Sequence, residues 1–393
     1  MIIECYSGYF EVSPNSLTIN ISNDFRPLNI LPTQRDCDHV MKPCDHSHWL
    51  GLYKRDSETT FTHTERAQNL LHDLPYSESQ KPSLFVLIGN RRKNIALHDL
   101  ASGSIRKKSI GPRGHGEIHL YNDPSSIFSD RPVLFADGDF PTHQKLEKIP
   151  PTWKCHRASS NILPRLRDGI LRDSNLLNAT DTLYFRLLSP FTDVFCFFAA
   201  DLGGLPPIVD RVASWLNMGR ASTLPATTHP RIVIVTESTV SEPQENYFLK
   251  RFLRLLRTKT RLDISTQFAG VRVLSLLLEG DISSQSRHRR LRECLMNMSD
   301  QTRLARIESR TLFSAQHLAS FLKHACLQLD ESRQPFNFIE TARLDHPPAS
   351  DLTEHLTNFL SKITTPQKLK DFAIPLIASS LLLDSYPPDM HRE

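Results

Sequence analysis

Apolar residues are thinly patterned over the first 80 positions and become strongly patterned from residue 83. Ser83–Ile88 (SLFVLI) is a continuous apolar run ending at Gly89-Asn90, which predicts a buried strand stopped by a turn. Glu117–Tyr121 (EIHLY) alternates polar and apolar positions, as a half-exposed strand does. Pro132–Ala136 (PVLFA), Asp193–Ala200 (DVFCFFAA), Arg231–Thr236 (RIVIVT) and Val271–Leu278 (VRVLSLLL) predict four more strands. Pro132 stands at a first strand position, where the missing N–H is tolerated. Ile208–Met218 and Glu245–Leu262 carry helical spacing between the last three strands. Six strands interleaved with helices predict an α/β fold, its sheet mainly parallel and covered on both faces. After Asp281 the pattern changes: residues 284–307, 314–329, 351–363 and 367–384 read as four successive helices, with Pro335 and Pro347-Pro348 between them.

This divides the chain into an irregular region (1–80), an α/β domain (81–283) and a helical extension (284–393). Pro14, Asn15, Pro27, Pro32 and Pro43 punctuate the first region and favour turns over long elements. No internal repeat or low-complexity tract is present.

Composition narrows the function classes. The 393 residues carry a net charge of only +4, and 14 Gly against 26 Pro argue against a chain-wide use of Gly-rich phosphate loops. Such mild basicity does not predict nucleic-acid binding. The basic run Arg287–Arg292 lacks interleaved aromatics and reads as a solvated helical face. The longest apolar run, near Val194–Ala200, is bounded by Asp193 and Asp201, far short of the ~18–20 residues of a membrane span. No secretory leader is visible, and seven scattered Cys do not form a disulfide framework. The expectation is an intracellular, cytoplasmic chain whose partners are other proteins.

The turn after the first strand invites comparison with a P-loop, G-x-x-x-x-G-K-[ST], whose backbone amides and Lys hold phosphates and whose hydroxyl holds Mg²⁺. Here Asn94, Ile95 and Ala96 replace the second Gly, the Lys and the hydroxyl, and Lys93 stands two residues early. Taken alone, the motif favours a plain strand–turn–helix with a Gly at the turn. The candidate nucleotide-contacting residues are Gly89, Asn90, Arg91, Arg92, Lys93 and, after the third strand, Asp137.

The order of elements from Ser83 to Asp281 resembles a Ras-like GTPase: a P-loop strand, a strand pairing antiparallel with the next, then strand–helix alternation to a sixth strand. The resemblance implies a D-x-x-G motif at Asp137-Gly138-Asp139-Phe140, which keeps the Asp and loses the final Gly. It implies an [NT]-K-x-D motif at Thr236-Glu237-Ser238-Thr239, which has neither the Lys nor the Asp. Three motifs in place and all damaged imply a pseudo-GTPase acting as a regulatory or scaffolding module, with no catalytic residue and no cofactor. The alternative is a divergent GTP- or ATP-binding hydrolase in which Lys93, Arg91 or Arg92 replaces the usual Lys, since guanidinium also holds phosphate.

Leu312–His317, Pro335–Ile339, Asp351–Leu356 and Ser385–His391 resemble segments of large fungal multidomain proteins. In that family a GTPase-like region often precedes a patatin-like lipid acyl hydrolase domain. The patatin nucleophile needs G-x-S-x-G, which this sequence lacks. A third reading is therefore a fragment of such a protein without its catalytic domain.

Two further features remain. Cys37, His39, Cys44 and His46 form a candidate zinc site, with Cys5 as an extra ligand, although Cys-x6-Cys is wider than the usual spacing. The competing reading is a polar, His-rich loop. Residues 245–262 place Phe248, Leu249, Phe252, Leu253, Leu255 and Leu256 within an arc of about 160°, with Lys250, Arg251, Arg254, Arg257 and Arg261 opposite. Such a helix can cover a sheet or meet an anionic membrane surface, and the sheet-covering role is the favoured expectation.

Overall fold

All six expected strands form, the five apolar runs and the alternating Glu117–Tyr121, and among the described residues three further strands join them. The structure, a computed structural model, describes residues 47–55, 58–101, 116–140, 159–162, 179–239, 242–277, 283–329, 334–345 and 351–384. These belong to the second of two compact units, Asp45–Glu393; the first is Met1–Cys44.

The chain begins with β1 (His48–Arg55), β2 (Glu58–His63), α1 (Arg66–His72), β3 (Ser83–Ile88), α2 (Arg91–Leu100), β4 (Glu117–Asn122), β5 (Val133–Gly138) and β6 (Ser159–Ile162). A π-helical segment, Thr182–Leu188, precedes β7 (Val194–Phe198), α3 (Leu205–Asn217), β8 (Arg231–Thr239), α4 (Glu242–Lys259) and β9 (Gly270–Leu277). Helices α5 (Ser284–Glu308), α6 (Ala315–Gln328), α7 (Phe338–Asp345), α8 (Leu352–Ser361) and α9 (Ile374–Asp384) follow.

The strands form one nine-stranded sheet in the order β6-β2-β1-β4-β5-β3-β7-β8-β9. From β5 to β9 every neighbouring pair is parallel. The pairs β4–β5, β1–β4, β1–β2 and β2–β6 are antiparallel. The expected six strands with one antiparallel pair therefore become nine with four.

Most of the difference comes from the described part of residues 47–80, which is not irregular: β1 and β2 extend the sheet, α1 packs beneath them, and β6 (Ser159–Ile162) adds the edge strand beside β2. Leu50, Leu52 and Phe61 are fully buried, but Trp49, Tyr53 and Thr62 at alternate positions are buried too, and His48 and His63 share the parity of the apolar residues, so no period-2 signal stands out. Pro punctuation in residues 14–43 says nothing about this later stretch.

Alternation across the central strands builds two cores. Leu84, Val86, Phe195, Phe197, Ile232 and Ile234 face one side, where the π-helical segment, α3, α4, α6 and α7 pack. Phe85, Leu87, Val194, Cys196, Val233 and Val235 face the other, covered by α2 and α5. Burial on both faces is why these strands read as unbroken apolar runs.

Helix α5 is not an extension. Leu291, Cys294, Leu295 and Met298, at i, i+3, i+4 and i+7, bury against Leu274 and Leu276 in the second core. Its last turns also close the N-terminal end of β7. Arg306 Nη1 meets Asp193 Oδ1 at 2.6 Å and Arg306 Nη2 donates to Thr192 O at 2.8 Å. Ser299 Oγ donates to the other Asp193 oxygen.

Candidate functional site

The candidate residues gather where β3, β5 and β7 end, the side of an open parallel sheet where ligands normally bind. Only Gly89 and Asn90 separate β3 from α2, so there is no extended loop to wrap a phosphate. Gly89 is required by close approach: a Cβ there would stand 2.9 Å from both Asp201 Oδ2 and Phe198 Cβ.

The start of α2 offers free amides and the positive end of its dipole, a natural anion site. The chain itself supplies the anion. Asp201, in the turn after β7, accepts from Asn90 N at 2.7 Å, Lys93 N at 2.9 Å and Arg92 N at 3.0 Å. The Asn90 side chain makes no capping bond, so this distant carboxylate is the cap.

Lys93 is turned away from that cradle. Its Nζ lies 2.6 Å from Asp137 Oδ1 and donates to Gly138 O at 2.7 Å, with the two side chains 2% and 0% exposed. Lys93 and Asp137, both expected at a nucleotide site, thus meet each other. Arg92 is exposed and pairs with Glu237 at 3.2 Å, and Arg91 is exposed on the helix surface. Ile95, at the register of the P-loop Lys, is exposed, and Ala96 is buried.

The second motif is fixed by packing. Phe140, at the position of the lost Gly, is buried against Tyr184, Phe197 and Trp215, with Arg211 5.1 Å over its ring. Tyr184 Oη donates to Asp139 O at 3.0 Å, and a Cβ on Gly138 would stand 2.1 Å from that hydroxyl. The π-helical segment carrying Tyr184 is anchored one residue earlier. Asp181 accepts from Ser214 Oγ at 2.6 Å and Trp215 Nε1 at 2.9 Å, and burial raises its carboxyl above the ordinary value against the pull of Arg211. The third motif does not form a loop, because β8 runs on through Thr236–Thr239.

Sequence reasoning missed Asp201 and a polar cluster between β1 and β4. Glu117 accepts from Tyr53 Oη at 2.6 Å and lies 3.2 Å from His119 Nε2; His119 Nδ1 is 2.9 Å from Ser47 Oγ. Burial would raise the Glu117 carboxyl, but hydrogen bonds from His119 and Tyr53 outweigh it and pull the pKa down to about 2. The candidate zinc ligands Cys37, His39, Cys44 and His46, with Cys5, lie outside the described residues. Among the described residues no group of three or more His, Cys, Asp or Glu is arranged to hold a metal ion. Nor is any helix among them long and apolar enough to cross a membrane.

No family model matches the chain, and no curated protein matches it. Among solved structures it is similar to the siderophore hydrolase EstA from Aspergillus nidulans, at 10% identity and a TM-score of 0.22. That match covers 68% of this chain and 99% of the other. At such a TM-score it bears on neither fold nor activity.

Proposed function

We propose that this chain is a GTPase-like module that does not hydrolyse nucleotide and acts as a regulatory or scaffolding element through contacts with other proteins. The observation that carries the reading is Asp201, whose carboxylate occupies the amide cradle at the start of α2. A phosphate there would have to displace a charge of its own sign. Three further features support the same reading. Lys93 is spent on Asp137, Phe140 is locked in the core, and the strand β8 runs through the segment where a base-reading loop would start. The order β4-β5-β3-β7-β8-β9, with its one antiparallel pair at β4–β5, supports the Ras-like resemblance. Kinship with the GTPase-like region of large fungal multidomain proteins belongs to the same proposal.

A fluorescent-nucleotide titration of the purified protein, with and without Mg²⁺, tests it. Mg²⁺-dependent GTP binding should be weaker than about 100 µM, because the phosphate Lys and the Mg²⁺ hydroxyl of a working loop are missing. Micromolar binding abolished by a chelator would instead establish the divergent nucleotide hydrolase.

A further inference from the structure

Helix α4 uses one side for folding: Phe252 and Leu256 are buried in the first core, as the favoured sequence expectation required. The opposite side is exposed and carries Tyr247, Lys250, Arg251, Arg254 and Arg257. At 100° per residue these fall within an arc of about 120°, and Lys250, Arg254 and Arg257 form a row rising about 10 Å along the axis. Arg261 and Leu262, just past the helix end, are also exposed.

No carboxylate shares that arc. Glu245 is turned inward, accepting from Ser275 N at 2.7 Å and from Arg290 Nη2 at 3.1 Å. Lys259 pairs with Asp210 at 2.9 Å, whereas Lys250, Arg251, Arg254 and Arg257 make no ion pair with the described residues. Asp263, beyond the helix end, accepts from Ser265 N at 2.9 Å, and its carboxyl is held below the ordinary value chiefly by Ser265 and in small part by Arg257. Like charges three and four residues apart repel one another and destabilise the helix. Lys250, Arg251 and Arg254 gain no counter-charge from the described residues and Arg257 only a weak pull from the exposed Asp263, so the main counter-charge of this face is external.

The shape of the surface selects the partner. The cations stand on the convex side of one helix, which suits a broad sheet of negative charge rather than a single enclosed anion. Tyr247 and Leu262, 63% and 45% exposed, bracket the row; Tyr is a side-chain type that settles at a lipid–water boundary, and Leu adds an apolar contact beside it. Exposed aromatics interleaved between the cations, as base stacking requires, are absent from the row. We propose that the outer face of α4 docks on the surface of an anionic lipid bilayer. Because the apolar side of α4 stays on the sheet, the attachment is peripheral, electrostatic and reversed by salt.

Co-sedimentation of the full chain with phosphatidylcholine vesicles, with and without phosphatidylserine, tests the proposal. Binding should require phosphatidylserine and disappear at high salt. Replacing Arg251, Arg254 and Arg257 by Gln should lower partitioning about 100-fold, at about fivefold per cation near such a surface. The same three positions changed to Lys should keep it, and thermal melts should match the parent for the Lys set and equal or slightly exceed it for the Gln set, which removes like-charge repulsion. Sedimentation independent of phosphatidylserine, or unaffected by the Gln set, would overturn the proposal. So would displacement from vesicles by an equal charge of duplex DNA or polyglutamate, which would assign the face to another polyanion.

Discussion

The two ends of the parallel strands can be compared pair for pair. At the C-terminal end, Lys93 and Asp137 meet at 2.6 Å with 2% and 0% exposure. At the N-terminal end, Arg306 and Asp193 meet at 2.6 Å with 8% and 1% exposure. Each cation also donates to a backbone carbonyl, Gly138 O in one case and Thr192 O in the other. In open α/β sheets ligands bind beyond the C-terminal ends, while the N-terminal ends serve stability. Here the end expected to bind is closed in the same way as the end that is not. What distinguishes it is the rim: Asn90, Arg91 and Arg92 remain exposed around the Asp201 cap, whereas the other end lies beneath α5. That rim is suited to surface contact rather than to enclosing a ligand.

The sharpest way to break this equivalence is to remove one cation from each end. Lys93→Met and Arg306→Met should each cost about 3–5 kcal/mol in chemical denaturation, since each leaves a buried carboxylate uncompensated. The double change Lys93→Met with Asp137→Leu should recover most of the loss. A stabilised Lys93→Met protein beside a crippled Arg306→Met one would show that Lys93 is held ready for a ligand.

A second measurement uses the partly exposed Glu117 cluster as a reference between the two ends. Its folded pKa of about 2 lies below the ordinary 4.5, so its contribution is complete above pH 4.5 and is lost as the pH falls toward 2. Glu117→Gln should cost about 2–3 kcal/mol at neutral pH and flatten the acid limb of the stability profile. Equal acid limbs for parent and variant would mean that the Tyr53 and His119 bonds do not hold the carboxylate.

The smallest effect is expected at the rim. Asp201→Asn should cost about 1–2 kcal/mol, the usual value of a charged helix cap, and should create no Mg²⁺-dependent GTP binding. Micromolar GTP binding by this variant would show that the cradle is competent and merely blocked.

These contrasts also explain what could be read from the sequence. Strands buried on both faces announce themselves, and Ser83–Ile88 agrees with β3 to the residue. The Phe252 and Leu256 side of α4 was equally legible from its period. Strands β1 and β2 were not: although they pair with each other, about half of their positions are polar, and their outer partners β4 and β6 come from elsewhere in the chain. Counting positions within a P-loop presumed a loop, yet α2 begins two residues after β3 and turns Lys93 toward Asp137. Asp201 looked like the end of an apolar run. Nothing local marks it as a cap, because the amides it meets lie 108–111 positions earlier.

That separation has a kinetic meaning. During synthesis β3 and α2 are complete long before Asp201 exists, and Asn90 offers α2 no local substitute. The first turn of α2 must therefore stay frayed until β7 has settled beside β3, which places the β7–α3 turn among the last parts to lock. Asp201→Asn should accordingly raise unfolding rates, lifting the unfolding arm of a chevron plot without changing its slope, while refolding rates stay nearly unchanged. Slower refolding in that variant would instead put the turn inside the folding nucleus, making a contact of high sequence separation an early event rather than a final latch.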